Sequence, residues 1–122
     1  MTLAYWMLLA AALMPYFAVT LAKSGGFNNS APRQSLENLV GWRRRAEWAH
    51  RNHFEAFPIF AAAVFVAELT HAPQSRIDLL AVIFVFLRLV YTALYIADLA
   101  TLRSLVWSLA MISVIWLFVL GA

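Results

Sequence analysis

Arg51, Asn52 and Glu55 stand within five residues of one another and lead directly into the apolar run Ala61-Ala62-Ala63-Val64-Phe65-Val66-Ala67. Ionisable groups entering a bilayer cost roughly 2.5–3.5 kcal/mol each near a helix centre on insertion scales, so they demand partners or a ligand. At 100° per residue, Arg44, Trp48, Arg51, Asn52 and Glu55 fall in one helical sector. Cations, an amide and a carboxylate on one stripe are suited to holding something polar, and arginines from three helices around one cleft suit a small molecule with several carboxylates. Within the chain, Arg51 and Glu55 sit at i, i+4 and can pair. That pairing leaves Asn52 and the other arginines unexplained.

A second polar group lies further along. Arg88 interrupts Phe84-Val85-Phe86-Leu87-Arg88-Leu89-Val90-Tyr91, and Tyr91 and Tyr95 follow it at i+3 and i+7. A lone arginine in such a run calls for a carboxylate, and Glu55 is the natural candidate for a structural Glu55–Arg88 ion pair. The tyrosines then face the bundle interior as hydroxyl donors to an anionic ligand. Leu102-Arg103-Ser104 opens the last apolar block and brings Arg103 to the membrane depth of Arg51, Asn52 and Tyr95. Elsewhere, His50 and His53 are at i, i+3 without a suitably angled carboxylate, so they read as solvated interfacial residues and no metal is expected.

These residues need helices to position them. Hydrophobic residues make up 64% of the 122-residue chain and charged residues only 12%, with a mean hydropathy of +0.77. Soluble domains are about one quarter charged, so the composition is that of a membrane protein. Four apolar blocks run from Thr2 to Ala22, from Gly41 or Arg43 to about Thr70, from about Ser75 to Asp98, and from about Thr101 to Leu120. Each has the roughly twenty residues that a spanning helix requires, and none shows the short alternation of barrel strands. The expectation is an all-α, multi-pass, integral membrane four-helix bundle formed as a single domain over residues 1–122.

The first block lacks a basic region before it, since Lys23 comes after it, and it reads as a retained span rather than a signal peptide. The only long connection, Lys23 to Trp42, contains turn formers and Ser35-Leu36-Glu37-Asn38-Leu39, which suits a short interfacial helix. Lys23, Arg33 and Arg43-Arg44-Arg45 surround it, which places it in the cytoplasm and both termini on the non-cytoplasmic side of the cell (inner) membrane. The net charge of +3 thus reads as orientation, with no nucleic acid implied. The absence of cysteine removes disulfides and any thiol nucleophile of the chain's own.

Arg45, Ala49-His50-Arg51-Asn52-His53-Phe54-Glu55, Phe57-Pro58 and Phe60, followed by Arg88-x-x-Tyr91-x-x-x-Tyr95 and Leu102-Arg103-Ser104, resemble a bacterial-type member of the MAPEG family, the membrane-associated proteins in eicosanoid and glutathione metabolism. The resemblance covers the whole chain. It implies a homotrimer that binds glutathione as co-substrate between subunits on the cytoplasmic side. Arg51, Asn52, Glu55, Tyr91, Tyr95 and Arg103 would surround the tripeptide, with Trp107 one turn on and Arg103 stabilising the thiolate. A lipophilic electrophile would arrive from the bilayer for transfer or peroxide reduction. Two departures stand out: Trp48 replaces a further arginine common in glutathione-using relatives, and the Tyr95-to-Arg103 segment looks one residue shorter than in some. A non-catalytic lipophilic-ligand-binding or scaffold protein of the same fold is the alternative. A small four-helix exporter fits poorly, because the first block has no acidic residue.

Overall fold

A computed structural model describes all of residues 1–122. It has five helices: α1 (Leu3–Lys23), α2 (Pro32–Glu37), α3 (Gly41–Leu69), α4 (Gln74–Ile96) and α5 (Ala100–Leu120). All but α2 are long and apolar enough to cross a membrane. The expected all-α four-helix bundle is therefore the fold. The short helix in the first connection starts three residues earlier than Ser35, because Pro32 supplies a favourable first turn.

Helices in lipid gain little from hydrophobic burial against one another, so close approach of backbones matters most. The buried positions follow that rule. Ala4 and Ala11 on α1, Ala56, Ala63 and Ala67 on α3, Ala81 on α4 and Ala110 on α5 are all core residues. Phe60 and Phe84 fill the α3–α4 seam as stacked rings, 4.0 Å between centroids. At the end of α5, a Cβ on Gly121 would lie 2.4 Å from Thr70 Oγ1, so this crossing depends on a glycine.

Polar clamps close each end of the bundle. At one end, Arg43 Nε donates to the Ala22 carbonyl at 2.9 Å and its Nη2 to that of Gly26. Arg44 donates to the carbonyls of Leu36, at 3.0 Å, and Glu37. Arg45 donates to the Ile96 carbonyl through Nε and Nη2, at 3.1 and 3.0 Å. The three consecutive arginines thus bind carbonyls at the C-terminal ends of α1, α2 and α4, where orphan acceptors and the helix dipole favour a cation. At the opposite end, Asp78 Oδ1 accepts from the Ala4 amide and from Gln74 Nε2, both at 2.9 Å. Glu68 Oε1 accepts from Thr2 Oγ1 at 3.3 Å and from Gln74 Nε2 at 3.0 Å.

Candidate functional site

The arginine end of the bundle carries an open polar cleft along α3, α4 and α5. One hollow of about 410 Å³ is lined by Trp48, Arg51, Asn52, Glu55, Tyr91 and Tyr95. A second, of about 420 Å³, adjoins it through Asn52, Tyr91 and Tyr95 and extends to Arg103, Ser104, Trp107 and Ser108. All six residues expected around a ligand, Arg51, Asn52, Glu55, Tyr91, Tyr95 and Arg103, therefore line one continuous wall of a single chain. They meet within one chain because α3, α4 and α5 pack together.

Aromatic rings shape the cleft. Tyr91 and Tyr95 meet edge to face at 5.6 Å, and Trp48 lies 6.3 Å from Tyr95. The Arg103 guanidinium sits 4.3 Å from the Tyr95 ring centroid, a cation–π contact that holds the arginine over the cleft without neutralising it. Trp48 remains 45% exposed, so the indole forms a lip and does not plug the site.

The ion pairing differs from expectation at two points. Arg51 Nε donates to Glu47 Oε1 at 2.5 Å, so its carboxylate is Glu47 and not Glu55. A glutamate that precedes its cation by four residues is the better-oriented helical pair, and Glu47–Arg51 has that order whereas Arg51–Glu55 reverses it. The sequence thus held a signal for Glu47, which is fully buried and also faces Arg44 at 3.9 Å. Glu55 keeps one side-chain partner, accepting from Asn52 Nδ2 at 3.2 Å, and stands exposed in the cleft.

The direct Glu55–Arg88 pair does not form either. Arg88 is 1% exposed, and its Nη2 donates to Asn52 Oδ1 at 2.8 Å. It also donates to His53 Nδ1, from Nη2 at 3.0 Å and Nε at 3.3 Å. Asn52 stands between the two expected partners and bridges them, its oxygen toward Arg88 and its nitrogen toward Glu55. An arginine cannot accept, so His53 Nδ1 must be the acceptor and Nε2 must carry the proton. Nε2 then donates to Thr92 Oγ1 at 2.7 Å, and the threonine hydroxyl donates to the Arg88 carbonyl at 3.0 Å. Donors and acceptors are consistent along this chain of bonds, while Arg88 Nη1 is buried without a hydrogen-bond partner.

His53 is consequently buried, not solvated, and is the main residue that sequence reasoning missed. Its signal was periodicity: Ala46, Ala49, His53, Ala56, Phe60, Ala63 and Ala67 form one buried stripe at three- and four-residue spacing. His50 turns elsewhere, with Nδ1 2.9 Å from the Pro15 carbonyl on α1.

The cleft thus presents two cations, an unpaired carboxylate and phenol hydroxyls beside apolar rings. No curated protein and no solved structure matches the chain. The model of the MAPEG family matches residues 3–122, essentially the full length, with both polar motifs inside the match. This chain, a four-span membrane bundle with its charged cleft at one end, belongs to the MAPEG family.

Proposed function

We propose that the protein is a membrane-embedded glutathione-dependent transferase or peroxidase acting on lipophilic electrophiles. One observation carries this reading: Arg51, Asn52, Glu55, Tyr91, Tyr95 and Arg103 line a single cleft in which Glu55 has no cationic partner. Glutathione is a tripeptide with two carboxylates, one ammonium and a thiol. Glu55 suits the ammonium, while Arg51 and the tyrosine hydroxyls suit the carboxylates. Arg103 suits the thiolate, because a nearby fixed cation favours the ionised sulfur.

The chemistry then follows from the borrowed nucleophile. The thiolate attacks an electrophilic carbon, forms the carbon–sulfur bond and expels the leaving group with its electron pair. With a peroxide, the same thiolate attacks one oxygen and the O–O bond breaks. The departing alkoxide takes up a proton, and a second glutathione resolves the oxidised sulfur as the disulfide. The chain lacks cysteine, so no protein thiol competes. The lipophilic partner would enter from the bilayer, since Trp107 and Trp48 at the cleft margins are both substantially exposed.

In this reading the cleft faces the cytoplasm, because Lys23, Arg33 and Arg43 to Arg45 gather at its end of the bundle. It is open along one side, and a neighbouring subunit of a homotrimer would cover it and exclude water. Trp48 favours a second reading, a non-catalytic binder of lipophilic ligands, because an exposed indole offers stacking where an arginine would offer charge. Turnover distinguishes the two. Purified protein in nanodiscs, given glutathione and a chloronitrobenzene electrophile, should form the conjugate, and Arg103→Leu should reduce its rate at least tenfold. Conjugation no faster than the protein-free reaction would leave the binder reading.

A further inference from the structure

The opposite end of the bundle holds a different kind of hollow. Arg76, Leu79 and Leu80 on α4 and Trp116 and Leu120 on α5 line a groove of about 450 Å³. On α4, Leu79 and Leu80 lie three and four residues after Arg76 and so share its face. On α5, Trp116 and Leu120 are also four apart. The groove therefore runs between two parallel ridges, with apolar walls on the membrane-spanning length and one cation close to the start of α4. Leu79 and Trp116 are 59% and 57% exposed, so nothing in the chain covers it.

Arg76 has no partner: the ion pairs of the chain are Arg44–Glu47 and Arg51–Glu47, and no side-chain hydrogen bond involves Arg76. Two carboxylates share this end, and both are engaged elsewhere. Asp78 is two residues from Arg76, hence on the far side of α4, where it binds the Ala4 amide and Gln74. Glu68 binds Thr2 and Gln74. A second copy of the chain would offer Arg76 only Glu68 and Asp78 at this depth, each already held within its own chain through one oxygen by Gln74 and a donor at the start of α1. A soluble partner is disfavoured because the groove opens sideways toward hydrocarbon.

We propose that this groove is a binding site for an anionic phospholipid of the leaflet opposite the polar cleft, with one acyl chain along Leu79, Leu80, Trp116 and Leu120 and the phosphate on Arg76. A basic residue at the end of an apolar groove between spanning helices suits a lipid headgroup and its chain together. Net negative headgroups are preferred over zwitterionic ones, whose own ammonium competes with the guanidinium. This site is independent of the glutathione reading.

Trp116 reports on the groove directly. A variant with Trp6→Phe, Trp42→Phe, Trp48→Phe and Trp107→Phe leaves Trp116 as the only indole. It is placed in bilayers with acyl-brominated phosphatidylglycerol or acyl-brominated phosphatidylcholine, whose bromines quench nearby tryptophan. A matching variant that keeps only Trp6 reports ordinary lipid contact at the same end of the bundle. The expected result is a preference for phosphatidylglycerol of about fivefold at Trp116, in line with one basic residue near a lipid phosphate. Arg76→Gln should abolish it, and Trp6 should show none. Equal quenching by both lipids, a preference that survives Arg76→Gln, or a Trp116 shielded from both lipids by a partner would overturn the site. Should the fourfold replacement unfold, mass spectrometry of the parent and of Arg76→Gln released from mixed-lipid nanodiscs gives the same contrast. The parent should retain phosphatidylglycerol and the variant should lose it, and equal retention would overturn the proposal.

Discussion

Arg88 Nη2 and Asn52 Oδ1 lie 2.8 Å apart, and this bond fixes which way the asparagine amide points. Because a guanidinium only donates, the amide oxygen must face the core and the amide nitrogen must face Glu55 in the cleft. A buried residue on α4 thereby orients two polar groups on the exposed face of α3.

That arrangement assigns His53 a positioning role. His53→Leu removes an acceptor from Arg88 and the donor to Thr92 inside a dry core. A hydrogen bond to a charged group is worth about 1.5–3 kcal/mol, so a stability loss of that order is expected in thermal melts in nanodiscs. His53→Asn, which keeps an acceptor near the Nδ1 position, should recover part of it. Equal melting of the parent and His53→Leu would contradict the role.

Glu55 should behave in the opposite way. It is exposed and held only by Asn52. Glu55→Ala should therefore change stability by no more than about 0.5 kcal/mol, as for surface substitutions. A variant that melts far below the parent would restore the idea that Glu55 neutralises Arg88 directly.

The buried carboxylate is Glu47. Glu47→Ala releases Arg51 and removes the acid that Arg44 faces, and a loss of about 1–3 kcal/mol is expected because charged hydrogen bonds are broken at a buried atom. Unfolding of Glu47→Ala at the parental temperature would show the pair to be ornamental.

Arg45 ties α3 to the end of α4 through the Ile96 carbonyl. In Arg45→Leu that carbonyl loses both donors, and the turn from Ala97 to Ala100 should open more readily. Hydrogen exchange of those amides should accelerate several-fold, with the core of α4 unchanged. Unaltered exchange there would remove the clamp from the account.

The sequence made the spans legible because length and hydropathy dominate in lipid, and each span end fell within a few residues of its expected place. It also brought Arg51, Asn52, Tyr95 and Arg103 to one depth, since two motifs in register with the helical repeat constrain them. Partner choice was less legible. Arg51 has carboxylates four residues away on both sides, and the decision for Glu47 rests on pair orientation and burial. Arg43, Arg44 and Arg45 read as a charge cluster, whereas their targets are backbone carbonyls, which carry no residue-type signature. One of those carbonyls, that of Ile96, lies 51 residues further along the chain from Arg45.

Calorimetric titration of the solubilised protein with glutathione decides whether the cleft holds the tripeptide. The expected result is saturable binding by the parent, weakened at least tenfold in Arg51→Ala and in Glu55→Gln, with the folded state of each variant confirmed by its melt. Absence of binding by the folded parent, or equal binding by the parent and both variants, would contradict it.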